Sequence, residues 1–157
     1  MSNFNYCPLV WHFCGKENNS KLEKIQERSL RILYNDYVSS YSDLLSNAGT
    51  STLLISRLKL MALETFKCVK GDNPKCLNNI FHVKDVPYDL RHQVNLEQPR
   101  RRSAMHGLRS FSYIGSKLWN SLPVHFKSLD EIDVVNFKAM INEWDGPSDL
   151  DTFSHYV

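Results

Sequence analysis

Gln26-Glu27-Arg28-Ser29-Leu30-Arg31-Ile32-Leu33-Tyr34-Asn35-Asp36 sets a helical period for the chain. Taken with the residues before it, it carries Leu22, Ile25, Ser29 and Leu33 at steps of three and four, with Leu30 and Ile32 widening the stripe. That period belongs to an amphipathic α-helix and not to a strand. Ser20, with Glu23 three residues later, has the form of a capping box and predicts the start of the helix. Gly15 to Asn19 then reads as a polar connection, and Asn35 and Asp36 should end the helix. Lys24, Arg28 and Arg31 flank the stripe.

The same period recurs on both sides. A first turn should open near Cys7 or Pro8, with Leu9, Val10, Phe13 and Cys14 as its apolar side. Tyr41-Ser42-Asp43-Leu44-Leu45 predicts a short helix closed by Gly49. A second long helix is expected over 51–69, with Leu54, Leu58, Met61, Thr65, Phe66 and Val69 on one face, Leu53 and Ala62 broadening it, and Gly71 and Pro74 stopping it. Pro74 could open a further short helix through Leu77, Ile80 and Phe81. Later helices are expected over 113–122, ending at Pro123, and over 131–144, where Val134, Phe137, Ile141 and Trp144 share a face. Asp130, Glu131 and Asp133 would sit at the positive end of the last one, and Gly146-Pro147 would stop it.

Residues 82–112 lose the helical period. Leu90, His92, Val94 and Leu96 alternate with Arg91, Gln93 and Asn95, and Phe111 and Tyr113 could supply a partner strand. The fold class is therefore mainly α, a small irregular helical domain over 1–146 with a short β-hairpin around 89–113. Residues 147–157 read as an acidic mobile tail.

Composition narrows the class. At 157 residues, 42% hydrophobic and 11% aromatic, the chain can form one modest core, which argues against disorder throughout. No apolar run approaches the roughly 18 residues of a membrane span. No basic segment leads into an apolar one at the N-terminus, so no signal peptide is read and an intracellular setting is expected, cytoplasm and nucleus alike. Cys7 and Cys14 have six residues between them, and Cys68 and Cys76 seven. Zinc pairs usually have about two to four, so reduced, buried cysteines and no metal are expected. Charge is divided along the chain. Residues 82–127 hold eight Lys/Arg against three Asp/Glu, and residues 128–157 hold one against seven. The basic middle suits a phosphate backbone, and the acidic end would repel one.

The search for catalytic chemistry ends without an enzyme. Tyr34-Asn35-Asp36-Tyr37 approaches the Tyr-x-Asp-Asp signature of a polymerase hairpin, but Tyr replaces the second carboxylate that would share the metal ions. Asp130, Glu131 and Asp133 are explained by a helix start. The six histidines are scattered, and the six glycines occur singly, so no phosphate loop is present. No cofactor or small-molecule substrate is implied.

The strongest chemical feature is Arg100-Arg101-Arg102 followed by Arg109, in a polar, non-helical stretch. Guanidinium forks match phosphate oxygens. His106, Phe111 and Tyr113 lie near enough in sequence to offer stacking surfaces for unpaired bases. A solvated basic loop is the plain alternative. Lys117 joins the same candidate set. Arg28 and Arg31, with Lys24, form a second group of candidate phosphate contacts; such residues more often only flank a buried stripe and cover its edge with their stems. Trp11 and Trp119 read as core, with Trp119 anchoring the last two helices and Asn120 capping the turn before Pro123.

Several short motifs occur in a telling order. They are Ser2 with Tyr6-Cys7-Pro8 and Trp11; Lys21, Gln26, Arg28, Leu30 and Arg31; Arg57 with Lys67; Tyr88-Asp89-Leu90-Arg91; Leu118-Trp119-Asn120-Ser121-Leu122-Pro123; and Phe137-Lys138 before Trp144. In this order, over 4–144, the chain resembles the C-terminal, post-thumb region of the reverse transcriptases of non-LTR (LINE-like) retrotransposons. The resemblance implies descent from an RNA-directed DNA polymerase whose endonuclease, fingers and palm are not in this chain, so no catalytic residue is carried over. It also implies RNA or DNA, and the missing polymerase domains, as partners. The zinc-knuckle cysteines of some members are absent. The other reading is a protein-interaction or structural module, with Phe4, Leu9, Trp11 or Leu30 marking an exposed patch.

Overall fold

The structure, a computed structural model, describes residues 12, 13, 15–84, 94–100, 107, 109–129, 132–150 and 153. Among them lie five α-helices: α1 (Lys16–Tyr34), α2 (Tyr41–Ala48), α3 (Leu53–Lys70), α4 (Phe111–Ser121) and α5 (Val134–Glu143). A 3-10 turn covers Val124–Phe126. The chain is mainly helical, as its periods predict. The expected first turn at Cys7 or Pro8 lies outside the described residues. Contacts divide the chain into two compact units, Met1–Arg57 with Asp151–Val157, and Leu58–Leu150. The division falls inside α3, after Arg57. Of residues 147–157, Pro147 and Phe153 are buried.

In the first unit, α1 begins at Lys16, four residues before the capping box that the sequence suggested. Gly15 is the N-cap, and its carbonyl accepts from the N–H groups of Asn18 and Asn19 at 2.9 and 3.1 Å. The physical reason lies further along the chain. The Asn19 side-chain Oδ1 accepts from Arg57 Nη1 at 2.6 Å, which fixes the residue inside the helix. Glu23 does not fold back on Ser20. Its Oε1 accepts from the Leu54 N–H in the first turn of α3 at 3.1 Å, and its Oε2 from the Tyr41 hydroxyl at 2.8 Å.

The buried face of α1 also departs from expectation. Asn19, Gln26 and Leu30 are buried, whereas Ile25 is half exposed and Ile32 and Leu33 are 63% and 70% exposed. The helix packs by a polar stripe because that stripe finds hydrogen bonds. Gln26 Oε1 accepts from the Tyr41 hydroxyl at 3.1 Å, and its Nε2 donates to the Ser51 carbonyl at 3.4 Å. Leu30 packs with Leu44 and Leu45 of α2, with Tyr41 and Ala48 against them. Leu30 therefore belongs to the core and marks no exposed patch; Phe4, Leu9 and Trp11 lie outside the described residues. α1 ends as predicted at Asn35, in the left-handed region at φ 50°, with Asp36 N–H returning to the Arg31 carbonyl. α2 runs from a Ser40 cap to Gly49 at φ 59°.

The second unit is apolar inside. Leu58, Met61, Ala62 and Phe66 of α3, Ile114, Leu118 and Trp119 of α4, and Phe137 of α5 are at or near zero exposure. Phe66 and Phe137 stack at 4.2 Å between ring centroids, Trp119 lies 6.3 Å from Phe137, and Phe126 meets it edge-on at 5.9 Å. α4 approaches its neighbours closely at Gly115, where a Cβ would fall 2.8 Å from the Phe81 ring and 2.9 Å from Thr65 Oγ1. Glycine is required there by space. Residues 75–79 form turns, not the short helix that Pro74 suggested.

The hairpin expected around 89–113 takes a smaller form among the described residues. One antiparallel bridge joins Val83 and Leu96. Phe111 and Tyr113, assigned to a strand from sequence, are helical because the Ser110 hydroxyl caps the Tyr113 N–H and opens α4 there. Residues 89–93, 101–106 and 108 of that span lie outside the described residues. α5 spans the core of the predicted last helix and buries Phe137 and Ile141 as expected; Asp130 and Glu131 lie outside the described residues.

Candidate nucleic-acid interface

Within the second unit, the residues that precede the arginine run are fixed against α4. Trp119 Nε1 donates to the Val94 carbonyl at 2.7 Å. The Asn120 side chain pairs with both backbone groups of Leu96, accepting from its N–H and donating to its carbonyl at 2.9 Å each. An amide that matches a backbone N–H and C=O in this way extends a strand ladder by one rung. On the other edge of the same segment, Lys84 N–H donates to the Asn95 carbonyl and Glu97 N–H to the His82 carbonyl, both at 2.8 Å. Lys127 is buried, and its ammonium donates to the Asn120 carbonyl at 3.0 Å. Burial holds its pKa below the ordinary lysine value. The sequence suggests that Asn120 caps the turn before Pro123; its side chain braces the backbone of Leu96 instead.

The far end of the segment is held on the same helix. Ser110 Oγ donates to the Gly107 carbonyl at 3.0 Å, and its oxygen caps Tyr113 N–H at 3.3 Å. The two anchor points, the N-cap Ser110 and Asn120 in the last turn of α4, stand ten residues apart, about 15 Å along the helix axis. Arg100 and Arg109 are exposed just inside the anchors. Arg101 and Arg102 lie outside the described residues. Lys117 is half-buried on α4 and has a bonding partner. No Asp or Glu occurs between Glu97 and Asp130, and none stands in the first turn of α4.

The stacking surfaces suggested by sequence are taken up by packing. Tyr113 is buried, and Phe111 is half-buried with its ring edge-to-face against Phe81 at 5.1 Å. His106 lies outside the described residues. Among the described residues of this segment, Arg100 and Arg109 are the exposed cations.

Arg28 and Arg31 belong to the first unit. Arg28 is exposed. Arg31 is not a spare cation: its Nε and Nη2 grip Glu27 Oε1 at 3.1 and 2.7 Å, and its Nη1 donates to the Ser39 carbonyl at 3.0 Å. It therefore staples the loop after α1. Asp36 completes that loop by accepting from the N–H groups of Val38 and Ser39 at 3.0 Å. Its carboxyl is lowered to about 2 by the Ser39 side chain, those two N–H groups and Arg31. The carboxylate that invited a polymerase reading thus has a local structural job.

The first unit also holds a cleft of about 330 Å³ beside α1, with Glu23, Glu27, Tyr41, Leu54 and Arg57 in its walls. The polar side chains among them bond within the unit: Glu23 to Tyr41 and Leu54, Glu27 to Arg31, and Arg57 to Asn19 and the Leu53 carbonyl. Burial first, then the Glu23 hydrogen bond, raise the Tyr41 pKa. His12 is fully buried beside Arg57, with neither ring nitrogen bonded among the described residues. Burial, and then the Arg57 charge, lower its pKa to about 4, so the ring is neutral.

Among the described residues no three His, Cys, Asp or Glu side chains gather to hold a metal ion, and no helix is long and apolar enough to cross a membrane. Cys68 is buried, with its thiol pushed up by burial, and Cys76 is exposed. Compared with protein-family models, with curated proteins and with solved structures, the chain matches none.

Proposed function

We propose that the chain is a C-terminal, post-thumb-like piece of a non-LTR retrotransposon reverse transcriptase, without a catalytic site of its own, that contacts the backbone of RNA or DNA through Arg100, Arg101, Arg102 and Arg109. The family part of the reading rests on the ordered motifs between Ser2 and Trp144. The contact part rests chiefly on one observation: exposed Arg100 and Arg109 flank a carboxylate-free segment tied at both ends to α4. No carboxylate stands in sequence between Glu97 and Asp130 to offset the charge of the guanidiniums. Lys117 has another partner and takes a lesser part. Arg31, engaged with Glu27 and Ser39, is left out.

Binding of this kind is salt-sensitive and nearly blind to sequence. Fluorescence anisotropy with single-stranded and duplex RNA and DNA at about 50 and about 200 mM salt tests it. Four phosphate contacts give a slope of log affinity on log salt near −3, and replacing Arg100, Arg101 and Arg102 by Ala reduces that slope by about two or more. Salt-independent binding, or no change in the triple variant, refutes the contact. DNA synthesis by the purified chain refutes the absence of an active site.

A further inference from the structure

The outer face of α1 is the largest feature that this function leaves unexplained. Leu22, Ile25, Ser29 and Ile32 follow steps of three, four and three, with Leu33 beside Ile32. This is the spacing of a coiled-coil contact line over roughly two heptads. Ile25, Ile32 and Leu33 are half to largely exposed. Ser29 does not interrupt the line, because its hydroxyl donates to the Ile25 carbonyl at 2.8 Å and is turned onto the helix. The apolar surface continues past the helix end. Tyr37 is 67% and Val38 96% exposed, in the loop held by Asp36 and Arg31. An apolar side chain held outward by three backbone hydrogen bonds is presented, not merely uncovered.

Charge indicates what would cover the face. Lys21, Lys24 and Arg28 run along one edge. Lys21 has an exposed ion pair with Glu17 at 3.3 Å, and Lys24 and Arg28 make no hydrogen bond or ion pair among the described residues. A second copy is a poor occupant. Antiparallel pairing sets this basic edge against itself, and parallel pairing faces it with Leu33, which carries no charge, and with the side on which Gln26 is already buried within the first unit. We propose that the face formed by Leu22, Ile25, Ile32 and Leu33 is a docking surface for an amphipathic helix of another protein, apolar on one side and lined by Glu or Asp at its edges. The basic edge then sets orientation and rate, and the apolar line sets affinity.

The test uses the full chain and two synthetic helical peptides that share Leu at a and d positions. One carries Glu and the other Lys at the e and g positions. Micromolar binding of the Glu peptide is expected, at least about tenfold tighter than the Lys peptide and weakening with salt. Ile32→Asp should abolish it, and the Lys24→Glu/Arg28→Glu pair should weaken it about tenfold. Ile32 is exposed, so its variant keeps the helical circular dichroism and thermal midpoint of the parent, and a loss of binding is a loss of the surface. Equal affinity for the two peptides, binding unchanged by Ile32→Asp, or no binding to either refutes the proposal. So does preferential binding to vesicles containing phosphatidylserine, which assigns the face to an anionic membrane. Concentration-dependent dimerisation abolished by Ile32→Asp also refutes it, because the occupant is then a second copy.

Discussion

α1 and α4 are built from similar material and packed by opposite logic. α4 buries its apolar face: Ile114, Leu118 and Trp119 go inside, and polar Asn120 is turned to brace the neighbouring segment. α1 buries Asn19, Gln26 and Leu30 and leaves Ile25, Ile32 and Leu33 facing water. The difference lies in where the polar side chains find partners. In α1 the inward stripe meets Tyr41, Ser51, Leu54 and Arg57, so its desolvation is offset by hydrogen bonds. A helix turns inward the face whose groups can all be satisfied, and that face need not be the apolar one.

The two helices can be broken separately. The largest effect is expected in the aromatic core of the second unit. Phe137→Ala removes a ring stacked at 4.2 Å on Phe66 and should lower unfolding free energy by about 3–5 kcal/mol in urea titration.

Next is the acid sensitivity of the first unit, carried by His12. Its folded pKa, about 4, lies below the ordinary histidine value of 6.5, so the fold excludes the protonated ring. The contribution is complete above 6.5, falls as pH drops through that value, and is lost below about 4. The shift corresponds to roughly 3 kcal/mol, read as a falling urea midpoint between those limits that His12→Gln flattens.

Asn19→Ala should cost about 1.5–3 kcal/mol, because Arg57 Nη1 then loses a 2.6 Å acceptor in a buried site. The same change at exposed Asn18 should be within about 0.5 kcal/mol. Smallest is Leu33→Ala, at 70% exposure, where the thermal midpoint should hardly move, within about 0.5 kcal/mol. A loss of several kcal/mol there would place the apolar line back in a core.

Much of this was legible in the sequence. Asn35, Gly49, Gly71 and Pro123 mark real ends, since each restricts or frees the backbone locally. Most of the expected α3 face (Leu58, Met61, Thr65 and Phe66) and Phe137 and Ile141 of α5 are buried, while Leu54 and Val69 are only partly so. The packing of α1 was not legible from apolar spacing, because its partners stand some fifteen to forty residues away. A signal was nevertheless present: Asn19, Glu23, Gln26 and Leu30 also follow steps of four, three and four, a second stripe that only a polar count would find. The same distance hid the role of Asn120, whose partner Leu96 is 24 residues back. The arginine run is visible in the sequence because its residues are adjacent, whereas the loop contact of Arg31 is not, because its acceptor at Ser39 is a backbone carbonyl, which no side-chain pattern records.

The packing of α1 is tested most directly by measuring urea midpoints for Leu30→Asp and Ile32→Asp side by side. A charge at Leu30, buried against Leu44 and Leu45, should unfold the first unit. The same charge at Ile32, two residues on and exposed, should leave the midpoint unchanged. A stable Leu30 variant beside an unfolded Ile32 variant would mean that α1 packs by its apolar face, which contradicts both the polar-striped core of the first unit and the docking surface outside it.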